Sequence, residues 1–393
     1  MRTLADRLGD ETRGHLARLE ALPCFQALSS RALPPESHRV LHQAFALLYQ
    51  ALEEALAASS HPALVAVRAE EAPPLPPFLE PGLVHEAPQG GLRSHVLVGA
   101  LAQGERIRSA ARREPVSLLG HHYALRLSLF SQPGASPWGG LSRQLEGLRL
   151  EDSRAEGLVR AARESFSGVR SLLDALHPPR ALPPSHWLNR DAGGHPITTD
   201  VDELRAALRA AEASWEEFPY YAWRFGERGR QFCWSDSAWL VTMGGQAEEQ
   251  VWKHVSWQGR LLAPRGMPRL LLERHLLCLY RELVRAKPSL QESHSVLRRV
   301  AERLAGERRR FIDDPVLRTL GADFEARVGP EWSQRMRGSG ELLAAAVADA
   351  CGGIPEAVDS LALWMCESSR FPSTWCLAVE QTLARARQLV SDR

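Results

Sequence analysis

Residues 3–28 read TLADRLGDETRGHLARLEALPCFQAL, and residues 36–58 read ESHRVLHQAFALLYQALEEALAA. In the first stretch Leu4, Leu8, Leu16, Leu19 and Leu22 fall on one stripe, the spacing that lines one face of an α-helix. Between them stand mostly Ala, Arg and Glu, which are good helix formers. The second stretch repeats the pattern, entered through Pro34-Pro35, since proline suits a helix's first turn and damages its interior. The same texture runs through the chain, and alternating β-branched runs bounded by turns are almost absent. The fold class is therefore read as all-α.

Working outward, further helices are expected at 92–112, 115–131, 138–148 and 153–176. Residues 70–91, EEAPPLPPFLEPGLVHEAPQGG, are too rich in proline for a helix and predict a long loop packed by Leu75, Phe78 and Leu83. The richest break, HPPRALPPSHWLNRDAGGHPITTD at 177–200, has five prolines and two adjacent glycines. It divides the chain into a domain at 1–176, a linker at 177–199 and a second helical domain at 200–393. There, helices are expected near 200–214, 219–229, 235–243, 246–262, 267–287, 290–311, 314–328, 331–351, 354–367 and 373–391. No repeat of fixed period is visible.

With 393 residues, 48 basic against 47 acidic and a net charge of +1, the chain is long enough for two or three domains and carries no polyanion footprint. Nucleic acid is not expected as a partner. Lys253 and Lys287 are the sole lysines, so nearly all the positive charge is arginine, a residue suited to carboxylate and propionate binding. A charged N-terminus without an apolar core argues against a secretory signal, and no apolar run of 18 residues argues for a membrane span. Six cysteines without a C-x-x-C pair fit the reducing cytoplasm. Tryptophan is the uneven component: six of the eleven, from Trp215 to Trp257, fall within one short region.

Two clusters in the first half carry chemical weight. One is His15 on the first helix; the other is Gly120-His121-His122-Tyr123 in LLGHHYALRL, followed by FSQPGASPWGGLSRQLEGL. In order and in kind, His15, Leu22-Pro23, Leu33-Pro34 and Leu52-Glu53-Glu54 resemble the opening of the heme oxygenase family, including its bacterial biliverdin-forming members. LLGHHYALRL is similar to that family's segment ahead of the distal helix, with Tyr123 at the place of a propionate-contacting tyrosine, and Gly139-Gly140 resembles the end of its glycine motif. The resemblance covers residues 1 to about 176. It implies a heme-oxygenase-like helical bundle, with His15 as axial iron ligand and Gly139 and Gly140 where backbone approaches the porphyrin. Arg13 is then the first candidate for a propionate partner, with Arg7, Arg18, Arg160, Arg163 and Arg170 as others. The implied activity is oxidative cleavage of heme to biliverdin, iron and carbon monoxide, with electrons from an external donor.

The chain departs from that pattern in two places. The spacing from Tyr123 to Gly139 is longer than in the family and contains Pro133 and Pro137, so one continuous distal helix cannot run through it. From Ala124 to Leu141 there is no Asp or Glu to match the family's distal carboxylate. An alternative is a non-catalytic member that binds heme, a bilin or a partner protein. A second is a diiron oxidase on the same scaffold, drawing on Glu11 and His15, His38 and His42, Glu53 or Glu54, and His121 or His122.

The second half resembles no family closely enough to transfer residues. Its arginines and aromatics alternate through PYYAWRFGERGRQFCWSDSAWLVTMGG at 219–245, a texture suited to cation–π stacking, with acidic residues near enough to pair. Gly226-Glu227-Arg228-Gly229 lacks the preceding strand and the lysine of a phosphate loop. Ser235-Asp236-Ser237 is read as a helix N-cap, and His254 and His275 as residues of different helices that could face one pocket. Cys351, Cys366 and Cys376 sit among apolar residues and are read as packing.

Overall fold

The computed structural model describes residues 3–30, 32–69, 95–130, 145, 148, 150–176 and 182–392, the side chains of 66–69 and 129–130 excepted. Among them every regular element is a helix and none is a strand, so the chain is all-α. It divides into two compact units, Met1–Val201 and Asp202–Arg393. The expected loop at 70–91 and almost all of the expected helix at 138–148, with Gly139 and Gly140, lie outside the described residues.

The first unit holds α1 (Leu4–Glu20), α2 (Pro23–Ser29), α3 (Pro35–Ala58), α4 (Pro62–Ala69), α5 (His95–Arg113), α6 (Leu118–Phe130), α7 (Asp152–Leu176) and α8 (Ser185–Leu188). Thr3 caps α1: its hydroxyl accepts from the Asp6 N–H at 3.1 Å while the Asp6 carboxylate accepts from the Thr3 N–H, also at 3.1 Å. The single helix expected over 3–28 is two helices, because Pro23 lacks an N–H and stands at the first position of α2. α3 lies along α5 and α6 along α7, with α1 also on α7. Residues 182–199, part of the expected linker, pack within this unit: Leu188 and Ile197 are buried, and Trp187 stacks on His95 with ring centroids 5.2 Å apart.

Gly120 sets the closeness of α6 and α7. A Cβ there would lie 2.1 Å from the Leu158 carbonyl oxygen and 2.9 Å from the Ala162 nitrogen, both backbone atoms that cannot swing aside. Gly120→Ala is expected to destabilise the first unit by about 3 kcal/mol through forced separation of the two helices, read as a lower midpoint in denaturant followed by far-UV circular dichroism.

The second unit holds α9 (Val201–Glu217, of which Val201 is the last residue of the first unit), α10 (Tyr220–Val241), α11 (Glu248–Leu262), α12 (Arg269–Ala286), α13 (Gln291–Arg309), α14 (Asp314–Arg335), α15 (Ser339–Cys351), α16 (Asp359–Met365) and α17 (Ser373–Ser391). α15, SGELLAAAVADAC, is buried from Leu342 to Asp349, as a helix apolar on every side must be, and its alanines let α12, α14 and α17 close around it. Trp375 of α17 is fully buried there, edge-on to Phe324 at 4.8 Å and stacked on Phe371 at 5.1 Å. Two expectations about this unit are corrected. The helix expected over 331–351 breaks at Gly338, which has φ 76°, and the helices expected at 219–229 and 235–243 are one helix, α10, bent at Gly226.

Arginines bind this unit together from inside. Arg308 of α13 donates to both carboxylate oxygens of Glu273 on α12 at 3.1 and 3.0 Å, and to Asp314 at 2.6 Å. Arg269 of α12 donates to Asp349 of α15 at 2.8 Å and to Glu307 of α13 at 2.6 Å. Glu212 of α9, with no exposed surface, accepts from Arg230 at 2.8 Å and from the Trp234 indole at 2.9 Å, both on α10. Removing one partner leaves the other charge buried and unmatched. Glu212→Ala is therefore expected to cost about 3–5 kcal/mol, measured as a loss of unfolding free energy by tryptophan fluorescence.

Candidate functional site

The residues singled out in the first half come together only in part. His15, on α1, is partly exposed and stacks on Phe166 of α7, ring centroids 6.4 Å apart. Tyr123, on α6, meets the same Phe166 edge-on at 6.1 Å, so His15 and Tyr123 flank one ring. Burial first, then the charges of Arg18, Arg163 and Arg170, pushes the His15 pKa below its ordinary value and keeps the imidazole neutral at pH 7. The Tyr123 side chain is 2 % exposed, and its hydroxyl lies 2.9 Å from that of Thr12. Because the Thr12 hydroxyl donates to the Leu8 carbonyl at 2.7 Å, it accepts from Tyr123, and the phenol is engaged between α1 and α6. Arg13 stands on the outer face of α1, exposed and paired with Asp10, away from the face that His15 shares with Phe166.

The residues of the alternative iron cluster are dispersed. Glu11 pairs with Arg7 and with Arg163, Glu54 with Arg108 at 2.7 Å, and His121 Nδ1 lies 2.7 Å from the Ser165 hydroxyl. His38 and His42 stand ring to ring, centroids 4.5 Å apart, and burial with the charge of His38 lowers His42 to about 4. Among the described residues no group of three or more His, Cys, Asp or Glu side chains is placed to hold a metal ion.

The second unit contains a cavity of about 650 Å³ between α10, α11 and α12. One wall is α10, with its bend. Gly226 has φ 54° and ψ −153°, a backbone conformation that favours glycine, and no atom of a neighbouring residue lies within 4 Å of where a Cβ would stand. The bend leaves Phe225, Phe232, Asp236 and Leu240 lining one side, opposite Gln258 and Leu262 of α11 and Leu272 and His275 of α12. Asp236 thus sits in the interior of a helix. Ser235 and Ser237 are satisfied by carbonyls of preceding residues, at 3.0 Å from Phe232 and 2.6 Å from Cys233, so the expected N-cap is not there.

Several groups at this cavity have displaced proton affinities. Burial raises the Asp236 pKa to about 6 against a hydrogen bond from Gln258. Burial, then the charges of Asp236 and Glu212, pushes the Cys233 thiol up to about 12. Burial lowers His275 to about 4. An apolar cavity of this size with a few convergent polar groups and displaced titrations has the form of a binding site. Of His254 and His275, the latter lines it; His254 lies edge-on to Trp239 at 5.9 Å. Asp236, Gln258 and Cys233 were not marked as functional by the sequence. Gly229, Phe232, Asp236 and Leu240 share helical spacing, a stripe that appears only when one helix runs through residues 230–234, where a break was expected.

His275 lies 2.9 Å from the hydroxyls of both Ser214 and Ser237, which also reach the carbonyls of Ala210 and Cys233. A neutral imidazole donates at one nitrogen only, so one serine turns its proton from its carbonyl to the ring. Since the folded value lies below that of the unfolded chain, protonation draws the chain toward unfolding as pH falls from 6.5 toward 4. Asp236, raised in the fold, runs the opposite way, stability falling as pH rises from 3.8 toward 6. Comparing His275→Leu with the unaltered chain isolates the first effect. The variant is expected to be less stable at pH 7 and to recover about 2 kcal/mol of the difference by pH 5, measured by denaturant unfolding at each pH.

The chain was compared with protein-family models, with curated proteins and with solved structures, and it matches none of them.

Proposed function

We propose that the first unit is a heme-oxygenase-like domain that binds heme through His15. The observation that carries this reading is the state of that imidazole: partly exposed, neutral at pH 7 and surrounded by the guanidinium groups of Arg18, Arg163 and Arg170. Iron ligation requires an unprotonated ring nitrogen, and propionates require arginine, so the donor set fits the iron side of heme and its carboxylates. Bound there, heme supplies an iron centre able to react with dioxygen, given electrons from an external donor. His15 would hold the iron, Phe166 would fix the imidazole plane by stacking, and Arg18, Arg163 and Arg170 would receive the propionates. Tyr123 acts differently from the residue it resembles: it donates to Thr12 and holds α1 against α6.

The non-catalytic alternative is favoured by one observation, the absence of any Asp or Glu from Ala124 to Leu141. In that case the unit binds heme or a bilin without cleaving it. In either form we place the protein in the cytoplasm and without a nucleic-acid partner, on the basis of six cysteines that form no C-x-x-C pair and a net charge of +1. No helix among the described residues is long and apolar enough to cross a membrane.

Titration of the full chain with hemin tests this. A Soret band is expected, shifted or lost in His15→Ala and weakened several-fold in Arg163→Ala. Biliverdin formation under reductant and oxygen marks the cleaving enzyme, and a band that persists marks the binding form. The absence of any band, or a band indifferent to His15→Ala, overturns the assignment of His15.

A further inference from the structure

The cavity of the second unit plays no part in heme binding and carries recognition chemistry of its own. At its wall the Gln258 Nε2–H donates to Asp236 Oδ2 at 3.0 Å. That contact spends a donor and leaves two acceptors, Asp236 Oδ1 and Gln258 Oε1. Gln258 is 5 % exposed, and its Oε1 is buried without a hydrogen-bond partner, an arrangement that costs about 1–3 kcal/mol when nothing fills it. Asp236 stands beside it on the cavity wall, partly exposed and, among the described residues, in no ion pair; Arg230 is held by Glu212 and Arg269 by Asp349 and Glu307.

A half-buried carboxylate without a counter-ion, beside a buried carbonyl without a donor, is complementary to a group that is both positive and rich in N–H. The rest of the wall carries Phe225, Phe232, Leu240, Leu262 and Leu272 together with four arginines: Arg224 is held by the Tyr220 and Ser360 hydroxyls, Arg228 lies over the Phe232 ring, Arg269 is held by Asp349 and Glu307, and Arg265 is exposed at the edge. We propose that this cavity binds an organic amine with an apolar body and an anionic far end, its ammonium nitrogen seated between Asp236 Oδ1 and Gln258 Oε1 and its anion against Arg265. The volume of about 650 Å³ accommodates a ligand of metabolite size.

The other groups facing Asp236 hold their charge across the working range. On α10 the Tyr221 hydroxyl is pushed well above its ordinary value, chiefly by burial, and Cys233 stands at about 12; on α12 His275 stands at about 4 and Arg269 remains paired. Between pH 7.5 and 5 the cavity therefore changes charge through Asp236, while an alkylammonium stays positive.

Three probes with one apolar body separate the contributions: octylamine, octanoate and 8-aminooctanoate, titrated into the full chain by calorimetry with tryptophan emission alongside, since Trp215 stacks on Tyr221 of the wall. Octylamine is expected to bind at least ten-fold more tightly than octanoate, and 8-aminooctanoate more tightly again, a margin that Arg265→Ala removes. Asp236→Asn, which keeps the shape and the Gln258 contact, should weaken octylamine at least ten-fold and leave octanoate unchanged. If that variant does not fold by circular dichroism, the unaltered protein still decides the matter. Its octylamine affinity should fall about ten-fold from pH 7.5 to 5, and Gln258→Met should weaken octylamine several-fold at pH 7.5. Equal binding of octylamine and octanoate, an octylamine affinity indifferent to pH and to Asp236→Asn, or no binding of either amine at millimolar concentration overturns the proposal. These outcomes are independent of the hemin titration, which does not involve Asp236.

Discussion

The second unit depends on pairing guanidinium with carboxylate where water does not reach. Arg230, Arg269 and Arg308 are each no more than 7 % exposed, and each finds its carboxylate on a different helix. Taking such ions out of water costs several kcal/mol apiece, and the planar fork of arginine offsets this only when its donors meet oxygens at good geometry. The pairs therefore constrain as much as they hold. α12 is tied to α13 through Glu273 and Arg308 and to α15 through Arg269 and Asp349, so rotation of α12 would strand charges on two sides. In the first unit Arg106, 4 % exposed, ties α5 to Glu164 of α7 at 2.9 Å in the same manner.

The cavity stands in contrast to that satisfaction. On its wall Asp236 lacks a cation and the buried Gln258 Oε1 lacks a donor. Such departures from local consistency gather at sites that bind something, because the missing partner comes with the ligand. The bend at Gly226 belongs to the same design. It gives up helical continuity, and in exchange the aromatic wall and the polar end of α10 face one space.

Much of the fold was legible from residue spacing. The leucine stripe of α1, the proline entry to α3, the Ala-rich run of α15 and the ends of α7, α11 and α17 follow from helical periodicity and from where proline interrupts it, whereas Pro23, which separates α1 from α2, was read as helix interior. Other errors concern where glycine interrupts a helix. A break was expected between Gly229 and Ser235, but the helix runs through that stretch and its interruption is the bend at Gly226; Gly338 was read as helix interior and stands at the break before α15. The candidate sites were less legible. His15 and Tyr123 could be named, but that they flank Phe166, and that Tyr123 donates to Thr12, depends on residues of different helices far apart in the chain.

By itself, then, the sequence determined an all-helical chain, a proline-rich divide near 177–200, and an arginine content suited to planar pairing with carboxylates. It determined these because period, breakers and composition are local quantities. Only the tertiary structure decided which arginines are buried against which acids, that Asp236 lines a cavity where a cap was expected, and that Arg13 faces away from His15. Burial and the identity of a partner across helices are set by how the helices dock, and the energy of a charge or a hydrogen bond depends on that environment far more than on neighbours in the chain.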